Sequence, residues 1–153
     1  MAFLTVDDAE PEKVPTAEEA RAEIEDWKRR IAELFAMIRS VAAGLGGWTA
    51  DDSRTSVISE RIMQLRGIPA YPLSILELHG PGKATVKFIP DARWVSGTRG
   101  RVMILGTRRP ARLLDLSEGP GTADWRLFDP MTWQDGGVAL TAGAIAALIG
   151  EAR

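Results

Sequence analysis

The sequence predicts an α+β fold: a long N-terminal helix, a short second helix, an antiparallel meander of five or six strands and a C-terminal capping helix. Three patterns predict it. An apolar seam of helical period follows Thr16, strand-length apolar segments alternate with turn residues from 74 to 128, and a short apolar helical segment follows Thr141. We expect the meander to form a small curved sheet or a partial barrel.

The N-terminal segment is acidic and contains Pro11 and Pro15, so we predict a flexible arm at 1–15 and a single α+β domain at 16–153. Residues 1–26 carry a net charge of −7, whereas six arginines and no acidic residue lie between Asp91 and Asp115. This charge separation has two interpretations. The basic strands bind an acidic partner, or the acidic N-terminal part neutralises them within the molecule.

The long helix is predicted to begin after Thr16, because Glu19 three residues later completes a capping box. Glycines from Gly44 onward end it. Its apolar residues, spaced alternately by three and four, form a seam: Ile24, Trp27, Ile31, Leu34, Ile38, Val41 and Leu45. Either the chain's own sheet or second helix, or another chain, covers this seam. The basic residues of the helix are predicted to form a solvated face: Lys28, Arg29, Arg30 and Arg39.

The segment after the helix is predicted to be a polar loop at 48–54 and a helix at 56–66, with a strand as the alternative at the start of the latter. Prolines 69 and 72 favour an extended segment. The first clear strand is 74–78, and a turn at 79–83 leads into the next strand.

The next predicted strand of the meander is Ala84 to Phe88, where apolar and polar residues alternate, and Pro90 ends it. Apolar segments at 101–106, 111–116 and 125–128 supply further strands, separated by turns at 96–100 and 107–110 and by a loop at 117–124. Residues 131–138 are predicted to be a loop. Thr141 then caps the terminal helix, 142–152.

The composition excludes several chemistries. The chain has no cysteine, which excludes disulfides and thiolate sites, and His79 is its only histidine. A metal site at His79 would need carboxylates from elsewhere in the chain. We therefore predict no cofactor, no metal site and no catalytic residues. No apolar segment has the length of a membrane span and no signal peptide is recognisable, so we expect a cytoplasmic protein that does not bind membranes.

The predicted function is that of a non-catalytic protein-interaction or accessory subunit of a bacterial-type cytosolic complex. Its partner would be another protein chain, either a larger subunit or a second copy. Docking would use six seam residues, the arginine-rich face of the sheet, or both, helped by exposed parts of Trp48 and Trp133. The six seam residues are Ile24, Trp27, Ile31, Leu34, Ile38 and Val41.

The alternative function is nucleic-acid binding through the basic strands and turns. The residues for this role are Arg93, Trp94, Arg99, Arg101, Arg108, Arg109 and Arg112. Because their two turns leave opposite ends of one strand, these arginines need not form a single patch. Trp94 is alternatively a core residue, with the arginines keeping the sheet edge soluble. The overall pI of about 5.5 argues against general affinity for nucleic acid.

Overall fold

The first described element is a long helix, α1 (Ala17–Leu45), which begins where the capping box predicts. The Thr16 hydroxyl accepts a hydrogen bond from the Glu19 amide at 3.1 Å, and the Glu19 carboxylate accepts one from the Thr16 amide at 3.1 Å. The helix ends at Gly46, which has a positive φ of 68°. A computed structural model describes residues 14–119 and 121–152, so most of the predicted arm lies outside the described residues.

The remaining elements confirm the α+β class. In chain order they are β1 (Thr49–Asp51), β2 (Thr55–Ile58), α2 (Arg61–Leu65), β3 (Tyr71–Ser74), β4 (Leu76–His79), β5 (Thr85–Ala92), β6 (Arg101–Leu105), β7 (Ala111–Asp115), β8 (Trp125–Phe128), a 3₁₀ helix (Trp133–Asp135), β9 (Val138–Ala139) and α3 (Ala142–Gly150). The capping hydroxyl of Thr141 accepts a hydrogen bond from the Ala144 amide, as predicted for the terminal helix.

The main sheet is an antiparallel meander of seven strands in the order β1-β4-β5-β6-β7-β8-β9. The predicted count of five or six was too low, because β1 and β9 are short strands that add to the two edges of the sheet. The two edge strands do not pair with each other, so the sheet is not a closed barrel. Strand β5 also continues through Pro90, where the register with β6 shifts at a bulge.

A separate two-stranded sheet pairs β2 with β3. The predicted helix at 56–66 was therefore too long, and its alternative start as a strand was correct: β2 ends at Ile58, and only Arg61–Leu65 is helical. β-branched Val57 and Ile58 favour the extended conformation. This two-stranded sheet supplies Ile58 and Tyr71 to the core of the molecule.

The core lies between the helices and one face of the seven-stranded sheet, which we call the inner face. Alternate residues of the strands enter it, such as Val86 and Phe88 of β5 and Val102 and Ile104 of β6. Helices α1 and α3 pack against each other on this face. Gly100 packs directly against the Trp27 ring, and a side chain at this position would clash with that ring. All three α-helices contribute side chains to this one core.

Candidate functional site

The predicted seam of α1 lies in the protein's own core. Five of its six proposed docking residues are buried there and Val41 is partly buried, whereas Leu45 at the helix end is exposed; the buried five are Ile24, Trp27, Ile31, Leu34 and Ile38. Of the two ways to cover the seam that the sequence left open, packing on the chain's own sheet is the one observed. Partner binding through α1 would have to use other residues of the helix.

The solvated face predicted for the basic residues of α1 was wrong for Arg30, whose side chain is 1% exposed. Its guanidinium donates to Asp26 and Asp115, each at 2.7 Å, and to the Ser117 hydroxyl and the Gly119 carbonyl. Burial alone would raise the pKa of Asp115, but the amides of Asp124 and Ser117, together with Arg30, hold that pKa below its ordinary value. Arg30 thus fastens α1 to the loop after β7.

The first group of predicted nucleic-acid residues faces the acidic side of α1. Arg93 is buried with its guanidinium 3.7 Å from Glu23, and the indole of Trp94 donates to Glu23 at 2.7 Å. Arg99 lies 4.0 Å from Asp26. Burial lowers the pKa of Arg93. These contacts favour the interpretation in which acidic residues near the N-terminus neutralise basic residues of the sheet.

The Glu60 carboxylate holds the backbone next to this group. It accepts hydrogen bonds from the amides of Arg93 at 2.9 Å and Trp94 at 3.1 Å. Burial raises the pKa of Glu60 despite these two bonds. Arg93 and Trp94 are therefore held in place by contacts on the helix side of the molecule, where Arg93 is buried and Trp94 partly buried.

The other predicted arginines lie apart from this group. Arg101 projects from β6 on the opposite face of the sheet and donates to Asp91 at 2.6 Å. Arg112 stacks over the Trp133 ring at 4.9 Å, and Arg108 and Arg109 are exposed in the turn before β7. The arginines consequently form separate groups, as the positions of the two turns suggested.

The second face of the sheet, which we call the outer face, carries the residues that alternate with the core positions. Here Ile89 lies opposite Met103 across β5 and β6, and both are partly exposed. Leu105, opposite Lys87, is 50% exposed. The buried seam residues of α1 and the buried residues of α3 belong to the inner core, so they do not cover this face. We call Ile89, Met103 and Leu105 the apolar strip.

A cleft of about 140 Å³ continues the apolar strip towards the end of the chain. Met103 lines both, and the cleft is completed by side chains that include Arg112, Phe128 and Trp133. Trp133 packs edge-on against Phe128, with 5.4 Å between ring centroids. The sequence analysis named Trp133 as a candidate docking residue, and the structure places it in this cleft. Trp48, marked with it, instead packs over Gly80.

A cluster of possible metal ligands lies at the β1 edge of the outer face. His79, predicted to lie in a turn, is the last residue of β4, and Glu77 is on the same side of that strand. Asp51 of β1 is paired with Glu77. One ligand atom from each of the three side chains lies within 4.8 Å of the others. The sequence analysis placed Asp51 in a loop and therefore did not predict that it lies near His79. The alternation of residues along β4 could have shown that Glu77 lies on the same face as His79.

Comparisons with known proteins give no relative: no protein-family model, curated protein or solved structure matches the chain. In the described residues, no helix combines the length and the apolar character needed to span a membrane. A function for this chain therefore has to be argued from its own surfaces.

Proposed function

We propose that this protein is a non-catalytic interaction subunit that binds a partner protein through the apolar strip and the adjoining cleft of the outer sheet face. The observation that carries the proposal is the exposure of this strip: Leu105 is 50% exposed, and Met103 and Ile89 beside it are partly exposed. A group of neighbouring apolar side chains left in water is typical of a binding surface.

The cleft adds the residue types that dominate binding energy at protein interfaces. Tryptophan and arginine are enriched among such residues, and here Arg112 stacks over Trp133 at 4.9 Å. The stacked pair holds both side chains in place before binding, which lowers the entropy lost on association. Met131, two residues before Trp133 in the chain, is 70% exposed.

The charges around the strip indicate the chemistry of the partner. Lys87 and Arg101 flank the strip, but each has a carboxylate close by, Glu77 at 3.4 Å and Asp91 at 2.6 Å. Arg108, Arg109 and Arg112 make no ion pair among the described residues. The partner surface that fits is therefore apolar at its centre, with carboxylates on the side that meets Trp133.

The test compares two substitutions in the tagged protein, expressed in the cells that naturally produce it. Met103→Glu places a carboxylate in the strip opposite Arg112, its cross-strand neighbour, so the sheet can tolerate it. Val57→Glu is the matched control, because Val57 is 72% exposed on the separate two-stranded sheet of β2 and β3. Circular dichroism and thermal unfolding check that both variants fold.

The proposal expects one protein recovered in fixed ratio by the wild type and by Val57→Glu after nuclease treatment, and at least about tenfold less of it with Met103→Glu. Equal recovery by the two variants would overturn the assigned surface. Recovery of no protein in fixed ratio would overturn the function itself. A second copy of the chain as the only partner, seen by light scattering, would show self-association instead of a subunit role.

Nucleic-acid binding is the second candidate, supported by Arg112 stacked over Trp133 and by Arg108 and Arg109, which are exposed in the turn before β7. Its test is fluorescence anisotropy with a short single-stranded DNA at low salt, comparing the wild type with a double Arg108→Glu, Arg109→Glu variant. Salt-sensitive binding that the variant loses would replace the protein-docking proposal with this one. The absence of a signal at low salt would remove nucleic acid from consideration.

A further inference from the structure

The cluster of Asp51, Glu77 and His79 has the geometry of an open metal site. Three neighbouring strands build it. Asp51 on β1 lies directly opposite Glu77 on β4, and His79 lies two residues further along β4 and opposite Thr85 on β5. Because strand residues two apart share a face, all three ligand side chains stand on the outer face.

The histidine is already oriented towards the carboxylates. Its Nδ1 lies 3.3 Å from the Thr85 hydroxyl, and its Nε2 lies 3.7 Å from Glu77 Oε2. In metal-binding histidines, the nitrogen that does not bind the metal usually makes a hydrogen bond that sets the ring orientation. Thr85 can supply that bond here and leave Nε2 for the ion.

Glu77 gives the cluster its anionic centre. Its side chain is only 4% exposed, and its Oε1 faces Lys87 at 3.4 Å and Arg54 at 3.5 Å. Its Oε2 faces His79, a neutral partner unless it is protonated. Lys87 and Arg54 both lie on Oε1, which leaves Oε2, beside His79, as the oxygen that would bind a divalent ion.

We propose that Asp51, Glu77 and His79 bind a divalent transition-metal ion of the zinc type at the sheet edge. One imidazole with two carboxylates suits zinc better than magnesium, which prefers oxygen ligands alone. Three protein ligands also leave a coordination position for water or for a group from another molecule. The proposal does not depend on the docking function proposed above.

Binding requires only a small adjustment of the side chains. Ligand atoms around tetrahedral zinc are about 3.4 Å apart, given bonds of about 2.1 Å, against a spread of up to 4.8 Å in this cluster. The His79 side chain is 46% exposed, so it can rotate towards the ion without disturbing the core.

The experiment titrates Co²⁺ into the full chain, stripped of metal with a chelator, and records visible absorption. Isothermal calorimetry with Zn²⁺ gives the affinity, with Mg²⁺ as the comparison ion. We expect one equivalent of Co²⁺ with the intense bands of a four- or five-coordinate site, and Zn²⁺ binding at least about tenfold tighter than Mg²⁺ binding. Thr85→Val should weaken Zn²⁺ binding about tenfold through loss of histidine orientation.

Two ligand variants and a matched control make the test specific. His79→Gln and Asp51→Asn should each abolish the cobalt bands, and both residues are exposed enough for the variants to fold. Asp52→Asn is the control, because Asp52 is the next carboxylate along the chain and pairs with Arg39 outside the cluster. Three results would each overturn the site: no cobalt bands in the wild type, unchanged bands in His79→Gln, or an equal loss of the bands in Asp52→Asn. Glu77 would then be an ordinary ion-pair partner of Lys87 and Arg54.

Discussion

Arg30 shows how one side chain connects the helix to the sheet. Its guanidinium makes four hydrogen bonds, of which those to Asp115, Ser117 and Gly119 reach residues at least 85 positions away in the sequence. Because Arg30 and Asp115 are both buried, the loss of Arg30 leaves the Asp115 carboxylate in the interior without this guanidinium, whereas Arg30 would keep its pair with Asp26 if Asp115 were lost. The pair is therefore sensitive to single substitutions.

We predict that Arg30→Met lowers the free energy of unfolding by about 3–5 kcal/mol, the usual cost of removing one partner of a buried ion pair. Arg29→Met is the matched control: Arg29 is the adjacent residue, it is exposed, and its ion pairs with Asp26 and Glu33 lie at the surface. The control should change stability by less than about 1 kcal/mol. Urea unfolding of the three proteins measures both effects, and equal losses in the two variants would contradict the structural role of Arg30.

Among the secondary-structure elements, the sequence predicted best those features that depend on residues close together in the chain, such as the starts of the helices. Thr16 with Glu19 marked the start of α1, and Thr141 marked the start of α3, because each cap is formed by residues within three positions of one another. Strand β1 could not be predicted in this way. Its three residues become a strand only because Asp51 and its neighbours pair with β4, nearly thirty residues further along the chain.

The same distinction applies to the candidate sites. The burial of Arg30 depends on Asp115, a partner that no local pattern identifies. The single histidine was recognised from composition, whereas its carboxylate neighbours required the pairing of β1 with β4. The alternation of β5 and β6 is visible in the sequence. Which of their two faces packs against α1 and α3 depends on tertiary contacts that no local pattern shows.

The capping box of α1 allows a prediction about the element itself. Thr16→Ala removes the hydroxyl that accepts from the Glu19 amide, so we expect a loss of about 1 kcal/mol in the free energy of unfolding. Ser40→Ala in the exposed interior of the same helix is the control, and it should be neutral or slightly stabilising because alanine favours the helix. Chemical denaturation gives both values. A Thr16→Ala loss no larger than the control's would mean that packing alone determines where α1 begins.

On the scale of the whole molecule, α1 is joined to the sheet by two kinds of interaction. Apolar burial on the inner face, with Trp27 against Gly100 and Trp125, acts at every pH. The anchor of Arg30, Asp26 and Asp115 acts only while its carboxylates are ionised. Acid should therefore weaken the polar attachment and leave the apolar one intact.

The pH dependence of stability follows from the pKa of Asp115, which is lower in the folded protein than the ordinary value of 3.8. A carboxyl of this kind adds stability that is fully present well above pH 3.8 and is lost as the pH falls through 3.8 towards the folded pKa. We expect Asp115→Asn to be less stable than the wild type at neutral pH, and the difference to shrink steadily on acidification. Glu60, whose pKa is raised, acts with the opposite sign in both proteins and cancels in the comparison. Urea unfolding of the wild type and Asp115→Asn across this acidic range measures the difference in the free energy of unfolding. If this difference stayed constant with pH, Asp115 would contribute shape and hydrogen bonds but no charge to the attachment of α1.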